Sequence, residues 1–287
     1  MSSRAAFAAA AAVLALFAAP RALAAEPGFA STGRMDWEHG LLSVEITRDL
    51  DPSTDSLPRA KGDAETEIEA RLAPLLIEAL AAVQLDSARS FGDLLSADPT
   101  IFSSIRERAL SASKDALFLS SDFSRLIARY SMPFFGERGI AASLAHGKEV
   151  PILKRLGYTS SRPFTGVLIW ARGKLPLSGK SSEGALRPAL FPRVFDQEMS
   201  VVLEKGMVSP EAIARWGMVG YADGLDDGVV FTRAGPDPLR IAARAVFGTS
   251  PTDIVISSEA ARQLLALEQN IALLREGKIV VVYEGLE

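Results

Sequence analysis

Cysteine is absent from all 287 residues. Disulfides, thiolate metal ligands, a cysteine nucleophile and lipidation at a cysteine behind a leader are therefore excluded. Whatever fold forms must be held by its core. Histidine is almost as scarce: His39 and His146 are the only two, and neither stands in a metal-ligand spacing. A Ser-His-Asp system would need one of them, and no G-x-S-x-G elbow is present. No block of lysine and arginine occurs, which argues against nucleic acid as a partner. Beyond the N-terminus no apolar run approaches the length of a membrane span.

What is there begins at the N-terminus. Arg4 is followed by fifteen apolar residues, Ala5 to Ala19, too few at roughly 1.5 Å per residue to cross a bilayer core. Pro20 ends the run, and Ala22-Leu23-Ala24 places small residues where a signal peptidase reads them. This pattern predicts a cleavable secretory signal over 1–25 and a periplasmic protein that is not lipidated. An uncleaved membrane anchor is the alternative. The net charge of −4 becomes about −6 once Arg4 and Arg21 are removed with no acid.

Along the mature chain, Leu42, Val44 and Ile46 alternate with Ser43, Glu45 and Thr47, the period of a half-buried strand. Glu38-His39-Gly40 turns into it from a short strand at Met35–Trp37. Residues 51–62 are turn-formers. A helix is predicted over about 63–84 from apolar positions three and four apart, kinked or divided by Pro74. Asp98-Pro99 opens a second helix over about 100–111. Strands are predicted at 117–119 and 126–135, the latter at an edge or bulge because of Pro133, with a short helix over 136–146. The stretch 146–162 lacks periodicity. Thr165–Trp170 reads as a central strand, 173–184 as a polar loop and 188–195 as extended. Ser209-Pro210 starts a short helix, and Leu239–Phe247 reads as extended or helical. Asp253–Ile256, a helix capped by Ser257 or Ser258 and ended by Gly277, and Ile279–Tyr283 together read as a βαβ unit.

The candidate chemistry is thin. Gly173 to Ser181 looks like a phosphate loop but has five residues between its glycines instead of four. Ser111-Ala112-Ser113-Lys114 has the S-x-x-K spacing in which a lysine takes the proton of a serine nucleophile one turn away, without the accompanying S-D-N or K-T-G. Asp223, Asp226 and Asp227 gather carboxylates as a calcium site would, without an EF-hand register. Trp37, Trp170 and Trp216 are scattered and read as core or boundary packing; a sugar-binding platform would need them to converge.

Two stretches resemble a known family. Met35-Asp36-Trp37-Glu38-His39-Gly40 with Leu41–Ile46, the Ala-rich helix and Leu94–Leu110 are similar to the opening of the bacterial small outer-membrane-lipoprotein and flagellar-assembly P and T proteins. Phe164–Gly173, Pro188–Asp196 and Thr252-Asp253-Ile254-Val255-Ile256-Ser257 resemble the TGLVIDARG…TDIVIS pattern of longer envelope proteins in that group. Trp170 stands where the pattern often has Asp. The resemblance implies an α+β envelope protein without a known reaction and gives no active-site residue.

The expectation is thus an α+β chain of two small domains, over 33–146 and 163–285, joined by a linker at 147–162. Each is a mostly antiparallel or mixed sheet with helices on one face. The expected function is non-enzymatic, in cell-envelope or flagellar-associated assembly. The partners are envelope or flagellar proteins, an oligomer is open, and no catalytic, cofactor-binding or metal-binding residue is assigned. The alternatives are a periplasmic serine hydrolase acting on peptidoglycan or peptides through Ser111 and Lys114, and a calcium or glycan module using Asp223, Asp226 and Asp227.

Overall fold

Alternation in the first half of the chain builds one antiparallel sheet. The computed structural model describes residues 21–51, 56–155, 157 and 159–284, with the backbone alone for 21–25. The expected signal lies outside these residues except for 21–25. The first unit contains strands β1 (Arg21–Glu26), β2 (Phe29–Asp36) and β3 (Leu41–Asp49), helices α1 (Leu57–Ala81), α2 (Phe91–Ala97) and α3 (Pro99–Leu110), strands β4 (Ser113–Leu119) and β5 (Arg125–Pro133), and a short α4 (Ala141–Leu144). The sheet order is β1-β2-β3-β5-β4, antiparallel throughout. On β3, Leu42, Val44 and Ile46 are buried, and on β5 so are Leu126, Ala128, Tyr130 and Met132. This row of alternate residues meets Ile68, Leu72, Leu75, Leu76 and Leu80 of α1. Burying each such side chain contributes roughly 1.5–3 kcal/mol.

Several boundaries differ from expectation. Helix α1 starts at Leu57, inside the expected loop, because Pro58 is tolerated in a first turn, where its missing N–H has no partner to lose. Pro74 does not divide it; α1 runs unbroken to Ala81, held by the apolar face that packs on the sheet. Helix α2 was not expected, although Ser90 and Asp93 form a capping box at its start. Asp98 caps α3 by accepting from the N–H groups of Thr100 and Ile101. Strand β5 is interior rather than at an edge: β4 pairs with it only as far as Ser131, so Pro133 leaves no ladder bond unmade on that side. The bulge lies in β4, between Lys114 and Ala116.

The second unit is built of shorter pieces. Strands β6 (Val167–Trp170), β7 (Lys174–Pro176), β8 (Glu183–Ala185), β9 (Val194–Phe195) and β10 (Val201–Leu203) precede α5 (Pro210–Trp216). Then come β11 (Gly220–Ala222), a π-helical turn (Val230–Ala234), β12 (Leu239–Ala242), β13 (Ala245–Phe247), β14 (Asp253–Val255), α6 (Ser258–Leu265), α7 (Glu268–Arg275) and β15 (Ile279–Val282). One sheet, β11-β15-β6-β12, is wholly parallel; a second, β10-β9-β14-β13, is mixed. The apolar run of β15 is buried at every residue, as a parallel strand covered on both faces requires. The π-helical turn covers one face through Val230 and Ala234 against Leu168, Val280 and Val282. Helices are therefore not confined to one side, as had been expected. The expected polar loop at 173–184 carries the β7–β8 hairpin. The expected single helix after Ser257 is two helices. The expected βαβ unit is a crossover between sheets, since β14 lies beside β9 and β13 while β15 lies between β11 and β6.

The described residues of 147–162 form no regular element, yet they are tied down. The Val150 N–H donates to Gly206 O at 2.8 Å and the Arg155 N–H to Leu265 O at 3.1 Å. The Arg155 guanidinium pairs with the fully buried Asp196, and Ser161 Oγ donates to Gln263 O. It is a strap on the second unit rather than a free linker.

The two units share one core. The turn at Asp86–Arg89 enters the second unit, where the Ser87 hydroxyl donates to the carboxylate of Asp253 at 2.8 Å. Asp253 is fully buried and also accepts from the Arg193 N–H at 2.9 Å and its guanidinium at 2.9 and 3.2 Å. Backbone bonds Leu190 N–H to Gln84 O, Phe191 N–H to Leu85 O and Ser250 N–H to Ser87 O continue the seam. A Cβ on Gly248, whose φ is +110°, would lie 2.4 Å from Ser87 Cβ, so only glycine lets the chains approach here.

Candidate functional site

The units part on one side of the seam to leave a cleft of about 680 Å³. The first unit contributes Trp37, Glu38, His39 and Phe135, from the β2–β3 turn and the end of β5; the second contributes Arg215, Trp216, Tyr221, Asp227 and Arg233. The β2–β3 turn is shaped by Gly40 (φ +63°), where a Cβ would lie 2.5 Å from the Phe135 ring. Gly217 ends α5 with φ +84° and meets the same ring from the other side, at 2.6 Å. The two glycines thus bring the backbones of both units against one phenylalanine.

Aromatic rings line the floor. Trp37 stands edge-on to Tyr221 at 5.4 Å and tilted to Phe134 at 6.5 Å. The Tyr221 hydroxyl is buried, donates to Ala189 O and accepts from the Ala189 N–H; burial pushes its pKa up. Trp216 is anchored by its indole N–H to Glu276 O at 3.0 Å, with the guanidinium carbons of Arg215 and Arg233 4.6 and 5.1 Å from its ring centre.

Arg233 is structural. Its guanidinium donates to the carbonyls of Trp216, Gly217 and Gly277 at 2.6, 2.6 and 2.7 Å, at the C-terminal ends of α5 and α7. Those carbonyls carry the negative ends of the helix dipoles and suit a cation. Burial lowers its pKa to about 9, so it stays charged at neutral pH.

At the rim the carboxyls of Glu38 and Asp227, one from each unit, line the same cleft. Burial and the Asp227 charge, in that order, push the Glu38 pKa up. Asp227 also accepts from the Val229 N–H at 2.8 Å. His39 is bound to Asp36 at 2.9 Å, which raises its pKa. Among the described residues no cation forms an ion pair with Glu38 or Asp227.

The remaining sequence candidates disperse. Ser111 ends α3 and donates to Arg108 O at 3.0 Å. Lys114 lies on β4, its ammonium 2.6 Å from both Glu65 and Glu69, which raise its pKa. The two are not on one helical turn, and a lysine held charged by two carboxylates is the opposite of a general base. Among the described residues no three His, Asp or Glu side chains stand close enough to hold a metal ion. Asp223 pairs with Arg172 and Asp227 turns to the cleft, so the acidic run at 223–227 does not converge. His146 stands just before the strap, its carbonyl accepting from Lys205. Trp170 is half-exposed at the end of β6. Trp37 and Trp216, expected to be scattered, share the cleft. The Asp residues of the family pattern, Asp196 and Asp253, are fully buried and each is held by an arginine.

Fold and cleft together define a two-unit α+β protein with a shared core and an aromatic cleft at the seam. Residues 29–137 match the family model of the N-terminal domain of Treponema pallidum Tp0624, and residues 166–285 that of its second domain. The chain is thus similar to two domains of one protein, over segments that coincide with the two units. Neither match is to the lipoprotein and flagellar P and T group. No curated protein matches the chain. Among the described residues no helix is long and apolar enough to cross a membrane.

Proposed function

We propose that this is an exported, non-enzymatic protein of the cell envelope that takes part in envelope or flagellar-associated assembly by holding a protein partner. The seam cleft carries this reading. Two units fixed to one another by buried bonds present an aromatic floor and an open carboxylate rim, features suited to recognition. The signal-like N-terminus and the motif resemblance to envelope and flagellar proteins support the compartment. The serine-hydrolase alternative loses support from the separation of Ser111 and Lys114, and the calcium alternative from the dispersal of the aspartates.

Deletion of the gene, scored for motility and for sensitivity to detergent, tests the role. Impaired motility or a leaky envelope is expected, and a strain normal in both overturns the proposal. Export is tested by the mass of the protein recovered from the envelope fraction. Loss of residues 1–25 is expected, which removes most of β1 and leaves β2 as the sheet edge. Recovery in the cytoplasm at full length contradicts it.

A further inference from the structure

The two edges of the first sheet are finished differently. On one side the sheet ends in β4, which is blunted by its bulge and by exposed charges at Lys114 and Asp115. On the other it ends in β1, whose residues 21–25 belong to the expected leader. Once they are removed β2 is the edge, and neither bulge nor proline interrupts it: its register with β3 runs without a shift over eight pairs. The Asp49 N–H donates to Gly28 O at 2.8 Å, so Gly28 turns its backbone toward β3. By alternation Phe29, Ser31, Gly33 and Met35 turn theirs outward, and none of these is charged. The backbone of 21–26 lies antiparallel along this edge, with residue 26 opposite Phe29 and residue 24 opposite Ser31. Helix α1 reaches over β1 as well as β2, and its Arg71 pairs with Glu26 at 2.8 Å. A strand that enters here must fit beneath the helix. Two copies joined edge to edge would bring both α1 helices over the same two strands, a conflict that a single extended segment does not meet.

We infer that in the processed protein the outer edge of β2 is a docking site for an extended segment of a protein partner, which enters antiparallel in the place that β1 holds in the unprocessed chain. Backbone N–H and C=O groups make the attachment, as in strand addition to a sheet edge generally. The segment has no proline where its N–H groups meet β2. It has a small residue opposite the buried Ser31, on the side of the sheet that α1 covers. This rests on the proposed loss of the leader and on the proposed role in holding a protein partner, and adds where and in what form the partner is held.

The test uses the processed protein purified from the envelope fraction, with terminally blocked peptides of residues 21–26 as probes. One has the unaltered sequence; the others carry Ala24→Pro or Ala24→Phe. The readout is amide hydrogen exchange at Ser31 and Gly33. Without peptide both amides are expected to exchange freely. A millimolar excess of the unaltered peptide is expected to slow them about tenfold or more. The Ala24→Pro peptide, which lacks an N–H that faces β2, and the bulkier Ala24→Phe peptide are expected to leave them unchanged. The protein variant Gly33→Pro loses an outward N–H and no bond to β3, so it is expected to lose the protection of Ser31 while keeping its circular dichroism and melting temperature. Slow exchange at both amides without peptide, equal protection by all three peptides, or protection by none overturns the inference. A dimer in sedimentation velocity with Ser31 and Gly33 protected also overturns it, in favour of a second copy. Recovery with residues 21–25 still attached removes the leader's loss and this inference with it, whereas a processed protein that ignores every peptide removes the inference alone.

Discussion

The two units bury their cores by different routes. In the first, strands of seven to nine residues (β2 to β5) present one face to a helix of 25 residues. In the second, strands run two to four residues, β9, β14 and β15 are buried at every position, and the chain passes between two sheets. In the first unit the apolar core lies in the helix–sheet layer, while in the second it is spread over both sheets and α5 to α7. The second adds buried polar groups to its apolar core, with Asp196, Asp253 and Arg233 each tying several segments together. A chain of short strands has few ladder bonds of its own, and side chains that bridge loops make up the difference.

The largest expected effect sharpens this contrast on the apolar side. Leu76→Ala, at a fully buried position of α1, should cost about 3 kcal/mol through lost burial and the cavity left behind. In the second unit Asp253→Ala should cost nearly as much, about 3 kcal/mol, because Ser87 and the Arg193 N–H are left without their acceptor; the exposed part of Arg193 holds the figure at the lower end for a broken buried pair. Urea unfolding measures both, and a loss under 1 kcal/mol for Asp253→Ala would refute the structural role of that carboxylate. Pro74→Ala should act in the opposite direction. Its site is exposed within a continuous helix, so restoring the backbone hydrogen bond should stabilise the chain by about 2 kcal/mol. A destabilised variant would show that α1 depends on the proline.

The smallest effect concerns pH. Glu38 has a raised pKa, so the folded chain holds that proton more tightly than the unfolded one. Its contribution is greatest with the carboxyl protonated and is lost as pH rises from roughly 4.3 through the higher folded value. His39 also has a raised pKa, and its contribution is complete below roughly 6.5 and lost as pH rises through its folded value. Melting temperatures of Glu38→Gln should therefore fall less than wild type across the lower window, and those of His39→Gln less across the upper one. Unchanged slopes would remove the electrostatic account of the rim.

The same contrast explains what the sequence revealed. Leu42, Val44 and Ile46 alternate over a strand long enough to show its period, and α1 shows its 3.6-residue stripe. In β6 and β15 every residue is apolar, so strands were legible but their partners were not. In β9, β10 and β11 the runs are too short for any period. The Ser90 and Asp93 pair has the spacing of a capping box, a local signal of α2 that was passed over. The cleft was not legible, because Glu38 and Asp227 come to line one cleft and Trp37 meets Tyr221 only after two distant segments dock. Asp253 was visible as part of a family pattern, but Ser87, its partner, has no local signal.

The central claim is that both units form one body, without which the cleft would have no fixed walls. Scanning calorimetry of the full chain tests it most directly. One transition is predicted, with calorimetric and van't Hoff enthalpies equal, and Asp253→Ala should lower it as a whole. Two separate transitions, only one of them moved by Asp253→Ala, would contradict it.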